Sequence, residues 1–253
     1  MQPVSPSGYD PREFPPFAVT VDIVVFTILH DALHVLLIER GQDPFEGCMA
    51  LPGGFVRPDE SLDEAAAREL EEETGLTKKE AYLEQLRTYG APYRDPRMRV
   101  ITSAYWAVCS SLVIPEAGGD AAFALLAPMS EIESGSISLA FDHRDILQDA
   151  LERLRGKLEY TSVGARFCPP EFTISSLRRA YEAIWETRLD PGNFHRNVQR
   201  SPSFKKVRRK PAVVGRKGGR PASLWTAPKV EPLTSAPLAR RHKSPMRPAR
   251  GSD

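Results

Sequence analysis

The run GGFVRPDESLDEAAARELEEETGL, Gly53 to Leu76, crowds Glu69, Glu71, Glu72 and Glu73 into the closing turns of one helix. Ser61 followed by Glu64 is a capping-box pattern, and Gly75 is placed to end the helix in a left-handed conformation. The spacing therefore predicts a helix over Leu62–Thr74. Glu69, Glu72 and Glu73 then stand at i, i+3 and i+4 on one face, beside a stripe of Ala66 and Leu70. Each like-charged pair at this spacing costs about 0.2–0.5 kcal/mol, and each glutamate in the last turn opposes the helix dipole by about 0.3–1 kcal/mol. Arg68 can pair with Glu64 and Glu72, which offsets only part of the repulsion.

A divalent cation reverses the sign of that cost. Three carboxylates on a rigid face, next to an LPGG loop whose Gly53 backbone can approach a ligand, suit Mg²⁺, which takes hard oxygen ligands and bridges to phosphate. Such an ion polarises a phosphoryl oxygen or generates hydroxide for attack. Taken alone, three adjacent glutamates are as readily a solvated helix face.

Upstream of the helix, AVTVDIVVFTIL and ALHVLLIER are β-rich runs joined through His30-Asp31, a hairpin connection. Downstream, MRVITSAYWAV, Met98 to Val108, is dominated by β-branched and aromatic residues behind the break RDPR. Strands on both sides of a helix predict an α+β or α/β sandwich over residues from about 17 to 140, not a helical bundle.

From His143 the pattern changes. HRDILQDALERLRGKL sets Ile146, Leu147, Ala150, Leu151 and Leu154 at helical spacing, an amphipathic helix that opens a second unit. FTISSLRRAYEAIWETRLDPGNFHRNVQR then predicts two short helices, the first capped by Thr173 and the second by Asp190 with Pro191 at its first position. Only Thr187 to Leu189 lie between them, which suggests a helix-turn-helix, with FKKVRRK and GRPASLW as the two strands of a wing. After about Ala227 the composition offers no core and predicts disorder.

Residues 201–253 carry 14 Lys and Arg against Glu231 and Asp253, a surplus of +12 beneath an overall charge of +1. An acidic body with a basic end suggests a polyanionic partner such as nucleic acid, or else a solubilising tail. No apolar run approaches the roughly 20 residues needed to span a bilayer, and MQPVSPSGYD lacks the parts of a signal peptide, so the expectation is a cytoplasmic chain without a membrane partner. Cys48, Cys109 and Cys168 are far apart and odd in number, and read as plain thiols.

Gly54, Glu60, then Arg68-Glu69-Leu70, Glu72-Glu73 and Gly75-Leu76 resemble, position for position, the Nudix box G-x5-E-x7-R-E-U-x-E-E-x-G-U, with U aliphatic. The resemblance extends from about Phe17 to Trp225: VTVDIVVF, LLIERGQDPFEG, ALPGGFV, LEQLRTYGAPYRDPRMRV, LAFDHRDIL, KLEYT, FTISSLRRAYEAIW, LDPGNFHRNV and GRPASLW follow the order of the Nudix-related transcriptional regulators, the NrtR family. It implies a Nudix α/β/α sandwich followed by a winged helix-turn-helix and a disordered basic tail. The boundaries expected are a flexible arm over 1–16, the Nudix domain over 17–142, the DNA-binding domain over 143–226 and the tail over 227–253. It implies Glu69, Glu72 and Glu73 as catalytic and metal-binding carboxylates with Gly53 beside them, and Glu60 and Arg68 as supporting partners. Such proteins are homodimeric repressors of NAD-biosynthesis or salvage genes that respond to ADP-ribose and bind a palindromic operator in double-stranded DNA. One departure is Met49, where the family usually has Trp before ALPGG.

For ADP-ribose, Arg40, Arg57, Arg94, Arg97 and Arg99 are candidates for the phosphates and ribose, and Tyr93 and Phe45 for an adenine platform. For DNA, Asn193, His195, Arg196 and Arg200 face the major groove, while Phe194 and Val198 turn inward. Arg216, Lys217 and Arg220 in the wing suit phosphates or a minor groove.

Two alternatives stand beside the ligand-responsive repressor. An ADP-ribose pyrophosphatase giving AMP and ribose 5-phosphate is permitted by the intact glutamates, with Glu131 or Glu133 as a loop-borne base. An RNA-processing hydrolase needs exposed stacking surfaces, for which the basic region offers only Phe204 and Trp225.

Overall fold

The computed structural model describes residue 10 and residues 13–77, 81–112, 121–207 and 222–233. It divides into two compact units, Met1–Val25 with Leu36–Ala107 and Val113–Leu147, and Phe26–Val35 with Val108–Leu112 and Gln148–Asp253. The elements in chain order are β1 (Ala18–Leu29), β2 (Ala32–Arg40), β3 (Met49–Ala50), β4 (Gly53–Phe55), α1 (Leu62–Thr74), β5 (Tyr82–Tyr89), β6 (Val100–Val108), β7 (Ala121–Pro128), α2 (Met129–Glu133) and α3 (His143–Tyr160). They continue with a 3₁₀ turn (Ser162–Phe167), β8 (Phe172–Thr173), α4 (Ile174–Trp185), α5 (Pro191–Arg200), β9 (Lys205–Lys206) and β10 (Leu224–Thr226).

A mixed sheet in the order β3-β2-β1-β6-β5, with β4 added to β1 and β7 to β2, organises the first unit. β1 is its central strand. Val21, Ile23, Val24, Val25 and Phe26 are fully buried, as expected of a strand covered on both faces, and the one acid among them, Asp22, is held at the ligand site. The hairpin at His30-Asp31 forms as expected: both residues have positive φ, 51° and 60°, the combination that matches strand twist in a two-residue connection.

The helix bounds read from the sequence are those observed for α1, with the Ser61–Glu64 capping box closed in both directions and Gly75 left-handed at φ 70°. Ala65, Ala66, Leu70 and Thr74 are its buried residues along with Glu69, so the glutamate face begins where the apolar stripe ends. β4 pairs with β1 through Val21↔Gly54 and Asp22↔Gly53, which sets the glycine loop beside the acidic end of α1.

In the second unit α4 and α5 form the two-helix motif. Thr173 caps α4 with Ser176 in a reciprocal box, and Asp190 Oδ1 accepts the Asn193 N–H at 2.7 Å ahead of Pro191. Phe194 and Val198 are buried as expected, and the Tyr181 ring packs edge-on to both Trp185 and Phe194, each at 5.2 Å. Gly164 lets the 3₁₀ turn close over that ring, because a Cβ there would stand 2.3 Å from a Tyr181 carbon. β8, β10 and β9 form a three-stranded sheet, with Trp225↔Lys206 and Thr226↔Lys205 antiparallel, the base of the expected wing.

Two expectations change. The boundary between units falls after Leu147 and not before His143, because the His143 ring is bound into the first unit. Disorder from residue 227 is also too early: although 228–233 bring little apolar surface, their backbone is hydrogen-bonded. The Ser162 N–H donates to Glu231 O at 3.0 Å, the Glu231 N–H returns to Ser162 Oγ at 3.0 Å, and the Leu233 N–H donates to Tyr160 O at 2.7 Å. The expected N-terminal arm and the rest of the tail, residues 234–253, lie largely or wholly outside the described residues.

Candidate ligand and DNA sites

The acidic end of α1, the β4 loop and the turn before α3 enclose a cavity of about 580 Å³ in the first unit. Its walls include Glu69, Glu72, Glu73 and Gly53, together with Arg40, Arg57, Arg94 and Arg97. Arg99 is not among them; its Nη1 donates to Ala91 O at 2.8 Å and its guanidinium lies over Phe17. Tyr93 is 93 % exposed and also lies outside the lining.

Arg68 is the hub of the carboxylates. Nε and Nη2 form a fork on Glu60 at 2.9 and 2.6 Å, while Nη1 donates to Glu69 at 2.7 Å and to Glu72 at 3.0 Å. The expected partner Glu64 is used instead in the cap, donated to by Ser61 N–H at 2.8 Å. The Arg68 fork and the Arg57 N–H hold Glu60 well below the ordinary carboxylate range, at about 2. Because Arg68 gathers Glu69 and Glu72, no three His, Cys, Asp or Glu side chains among the described residues form a ready metal cage.

Glu73 points elsewhere. Its Oε2 is buried without a hydrogen-bond partner among the described residues. Burial, reinforced by Glu69, Asp22 and Glu72 and opposed by the Gly53 backbone N–H, pushes its carboxyl up to about 8. Burial also raises Glu69, against the pull of Arg68. These two groups concentrate the local deficit of positive charge.

The opposite wall is an ion-paired frame. Arg94 is buried and donates through Nε and Nη2 to both Asp142 oxygens at 2.9 and 2.6 Å, and through Nη2 to Asp22 at 3.2 Å. His143 is buried, and Nδ1 accepts the Leu51 N–H at 2.9 Å, which assigns the remaining ring proton to Nε2, 3.7 Å from Asp22. Burial lowers the His143 pKa, so the ring is neutral. Arg97 is forked onto Asp95, and Arg40 reaches across the Phe141 ring at 4.7 Å. Phe45, expected as a platform, meets Phe141 edge-on at 4.8 Å and lies outside the lining. Asp22, Phe141, Asp142 and His143 carry roles that the sequence reading did not assign, although a lone acid in VTVDIVVF and the cluster FDH were the available signals.

Glu131 and Glu133 sit on α2, not in a loop; both are exposed and neither lines the cavity.

On the second unit, Asn193, His195, Arg196 and Arg200 are all exposed on α5, opposite buried Phe194 and Val198. Asn193 Oδ1 accepts from Arg196. The tight turn is tied by Glu182, whose buried Oε1 accepts the Leu189 N–H at 2.9 Å and Arg178 Nη1 at 2.5 Å. Arg216, Lys217 and Arg220 lie outside the described residues. Phe204 and Trp225 are buried, so neither is a stacking surface for single-stranded RNA.

The NUDIX domain model matches residues 17–150, and the NrtR DNA-binding winged helix domain model matches residues 164–227. The chain belongs to the NrtR family of Nudix-related regulators. The ADPR responsive transcriptional repressor NtrR of Acinetobacter baylyi is 32% identical over 219 residues, 86% of this chain and 84% of its own length. The crystal structure of Shewanella oneidensis NrtR complexed with a 27mer DNA aligns at a TM-score of 0.66 with 30% identity, over 83% of this chain and 93% of that one. The NUDIX domain of the same NrtR complexed with ADP ribose aligns at 0.53 with 36% identity, over 58% of this chain and 95% of that one. In this NrtR-family chain, then, the carboxylate cavity belongs to the Nudix domain and the exposed face of α5 to the winged helix. No helix among the described residues is long and apolar enough to cross a membrane.

Proposed function

We propose that this protein is a cytoplasmic, ADP-ribose-responsive repressor of NAD-biosynthesis or salvage genes, acting as a homodimer on a palindromic operator. The observation that carries the reading is the coexistence of a cavity suited to a diphosphate and a helix-turn-helix with an exposed polar face. A dimer presents two α5 helices to matching half-sites, and the ligand acts by binding one quaternary arrangement more tightly than the other, since equal binding shifts nothing. Asn193, His195, Arg196 and Arg200 supply base and phosphate contacts, and Arg216, Lys217 and Arg220 supply cations for the backbone.

The ligand site fits a divalent cation. Glu73 Oε2 lacks a partner among the described residues, its carboxyl is pushed up by neighbouring negative charge, and Gly53 and Gly54 leave no Cβ between the loop and the glutamates. Mg²⁺ would be held by Glu69, Glu72 and Glu73 with the Gly53 backbone, and when bound would neutralise diphosphate charge. Arg57 and Arg97 at the rim, and Arg40 deeper, orient the phosphates and ribose. Arg94 contributes by fixing Asp142 and Asp22.

A second reading, ADP-ribose pyrophosphatase, is supported by the same glutamates. It is weakened by the position of Glu131 and Glu133 outside the cavity lining, which leaves hydrolysis without the base expected for it. Incubation of the protein with ADP-ribose and Mg²⁺, followed by AMP quantification and operator gel shift in the same sample, separates the two. Release of DNA without AMP is expected. Unchanged DNA binding at saturating ligand would sink the repressor mechanism, and stoichiometric AMP with unchanged DNA binding would establish the enzyme in its place.

A further inference from the structure

We infer that Phe141, with the Arg40 guanidinium laid over its ring, forms the subsite for the planar base of a nucleotide ligand; this deepens the ADP-ribose reading and rests on it. The turn before α3 is pinned on either side of this residue. The Ala140 N–H donates to Met49 O at 2.8 Å, Asp142 is forked by Arg94, and His143 Nδ1 takes the Leu51 N–H at 2.9 Å. Between these ties Phe141 is held at φ 53°, a left-handed backbone rarely adopted by a bulky side chain, and its ring lines the cavity. Such a conformation persists only where the surroundings over-determine it, and such residues cluster at ligand sites.

The surroundings of the ring match an aromatic guest. Phe45, itself at φ 66°, braces it edge-on. Arg40 Cζ lies 4.7 Å from the ring centroid, and the guanidinium plane is fixed by Nε to Pro44 O at 2.8 Å and Nη2 to Gln42 O at 3.3 Å. A guanidinium already stacked on a phenyl face marks a place where a flat, electron-rich heterocycle can enter between them or replace the cation, with a π-face on one side and a delocalised cation on the other. The glutamates and rim arginines of the same cavity take the charged part of the ligand. Phe141 therefore selects for a base, and the carboxylate end selects for the diphosphate.

The test compares wild-type protein with Phe141→Leu and Phe141→Tyr by calorimetric titration with ADP-ribose, AMP and inorganic pyrophosphate in Mg²⁺ buffer, with thermal melts as a folding control. Phe141→Leu should weaken ADP-ribose and AMP by about 5- to 100-fold, the range for losing one stacked base, while pyrophosphate binding holds and Phe141→Tyr stays near wild type. Wild-type affinity for ADP-ribose in Phe141→Leu, or an equal loss for pyrophosphate, would overturn the subsite and leave the ADP-ribose reading standing. Wild-type binding of AMP but not ADP-ribose, sensitive to Phe141→Leu, would uphold the subsite and overturn that reading. Binding of neither nucleotide by wild type overturns both.

Discussion

Gly54 and Glu69 are packed so closely that a Cβ on the glycine would stand 2.2 Å from Glu69 Oε1. The carboxylate end can move, but Arg68 holds it at 2.7 Å and it is buried, so it moves only by leaving that position. Gly54→Ala should therefore remove Glu69 from the site while the strand pairing of β4 survives. Divalent-cation affinity, measured by Mn²⁺ titration, should fall about 10- to 100-fold, the usual effect of disturbing the geometry of a metal ligand. Unaltered Mn²⁺ binding would mean that Glu69 is not a ligand.

Glu73 predicts a pH dependence of opposite sign to that of an ion-paired carboxylate. Its folded pKa of about 8 lies above the ordinary 4.5, so the native state holds the extra proton between those values. In EDTA the wild-type protein should lose stability as pH rises through that window. Glu73→Gln removes the titration: its melting temperature should match wild type near pH 4.5 and exceed it near pH 8, by roughly 2–4 °C for each kcal/mol recovered. Divalent-cation affinity of wild type should rise with pH toward about 8, since the ion needs the carboxylate. A wild-type melting temperature that climbs over the window would contradict the burial of Glu73.

What the sequence disclosed and what it hid follow the range of the interactions. The bounds of α1, the His30-Asp31 hairpin and the caps at Thr173 and Asp190 depend on residues a few positions apart, so spacing reveals them. Phe194 and Val198 were assigned inward correctly for the same reason. The frame of Arg94, Asp22 and Asp142 joins positions 72 and 48 residues apart, and no local period encodes it. Arg68 illustrates the limit: helical spacing offered Glu64 and Glu72, but the strongest fork goes to Glu60 outside the helix. The order of residues 228–233 was hidden because backbone bonds to Ser162 and Tyr160, not side-chain burial, secure it.

Glu182 should connect the stability of the helix-turn-helix to DNA binding without touching the ligand. Glu182→Ala strands the Leu189 N–H and the Arg178 guanidinium, at a cost of about 1–3 kcal/mol. Operator affinity by fluorescence anisotropy should fall, and ADP-ribose affinity should stay at the wild-type value. A loss of ligand binding of the same size would show that the damage is not confined to the second unit.

Arg196→Ala tests the exposed face of α5. If Arg196 reads a base, operator affinity falls by about 1–3 kcal/mol and discrimination at one position relaxes. If it contacts phosphate, specific and non-specific DNA weaken alike, and the slope of log affinity against log salt decreases by about one unit. Binding assays on operator and scrambled duplexes at several salt concentrations distinguish the two, and no change on either duplex would remove α5 from the interface.

Arg94 separates a framework role from a ligand role. Three hydrogen bonds commit its Nε and Nη2 to Asp142 and Asp22, and Arg94 itself is buried. Arg94→Met leaves both acids without their cation, and removing one partner of a buried pair costs about 3–5 kcal/mol. Arg94→Lys keeps the charge but not the fork, so its melting temperature should lie between Arg94→Met and wild type. Adding Asp142→Asn to Arg94→Met should recover part of the loss, because the two sites share one interaction and their effects are not additive. Ligand affinity should follow stability through this series, since the same fork holds the turn that carries Phe141. A direct phosphate contact predicts another pattern: Arg94→Met would melt like wild type, Asp142→Asn would rescue nothing, and only ADP-ribose binding would fall.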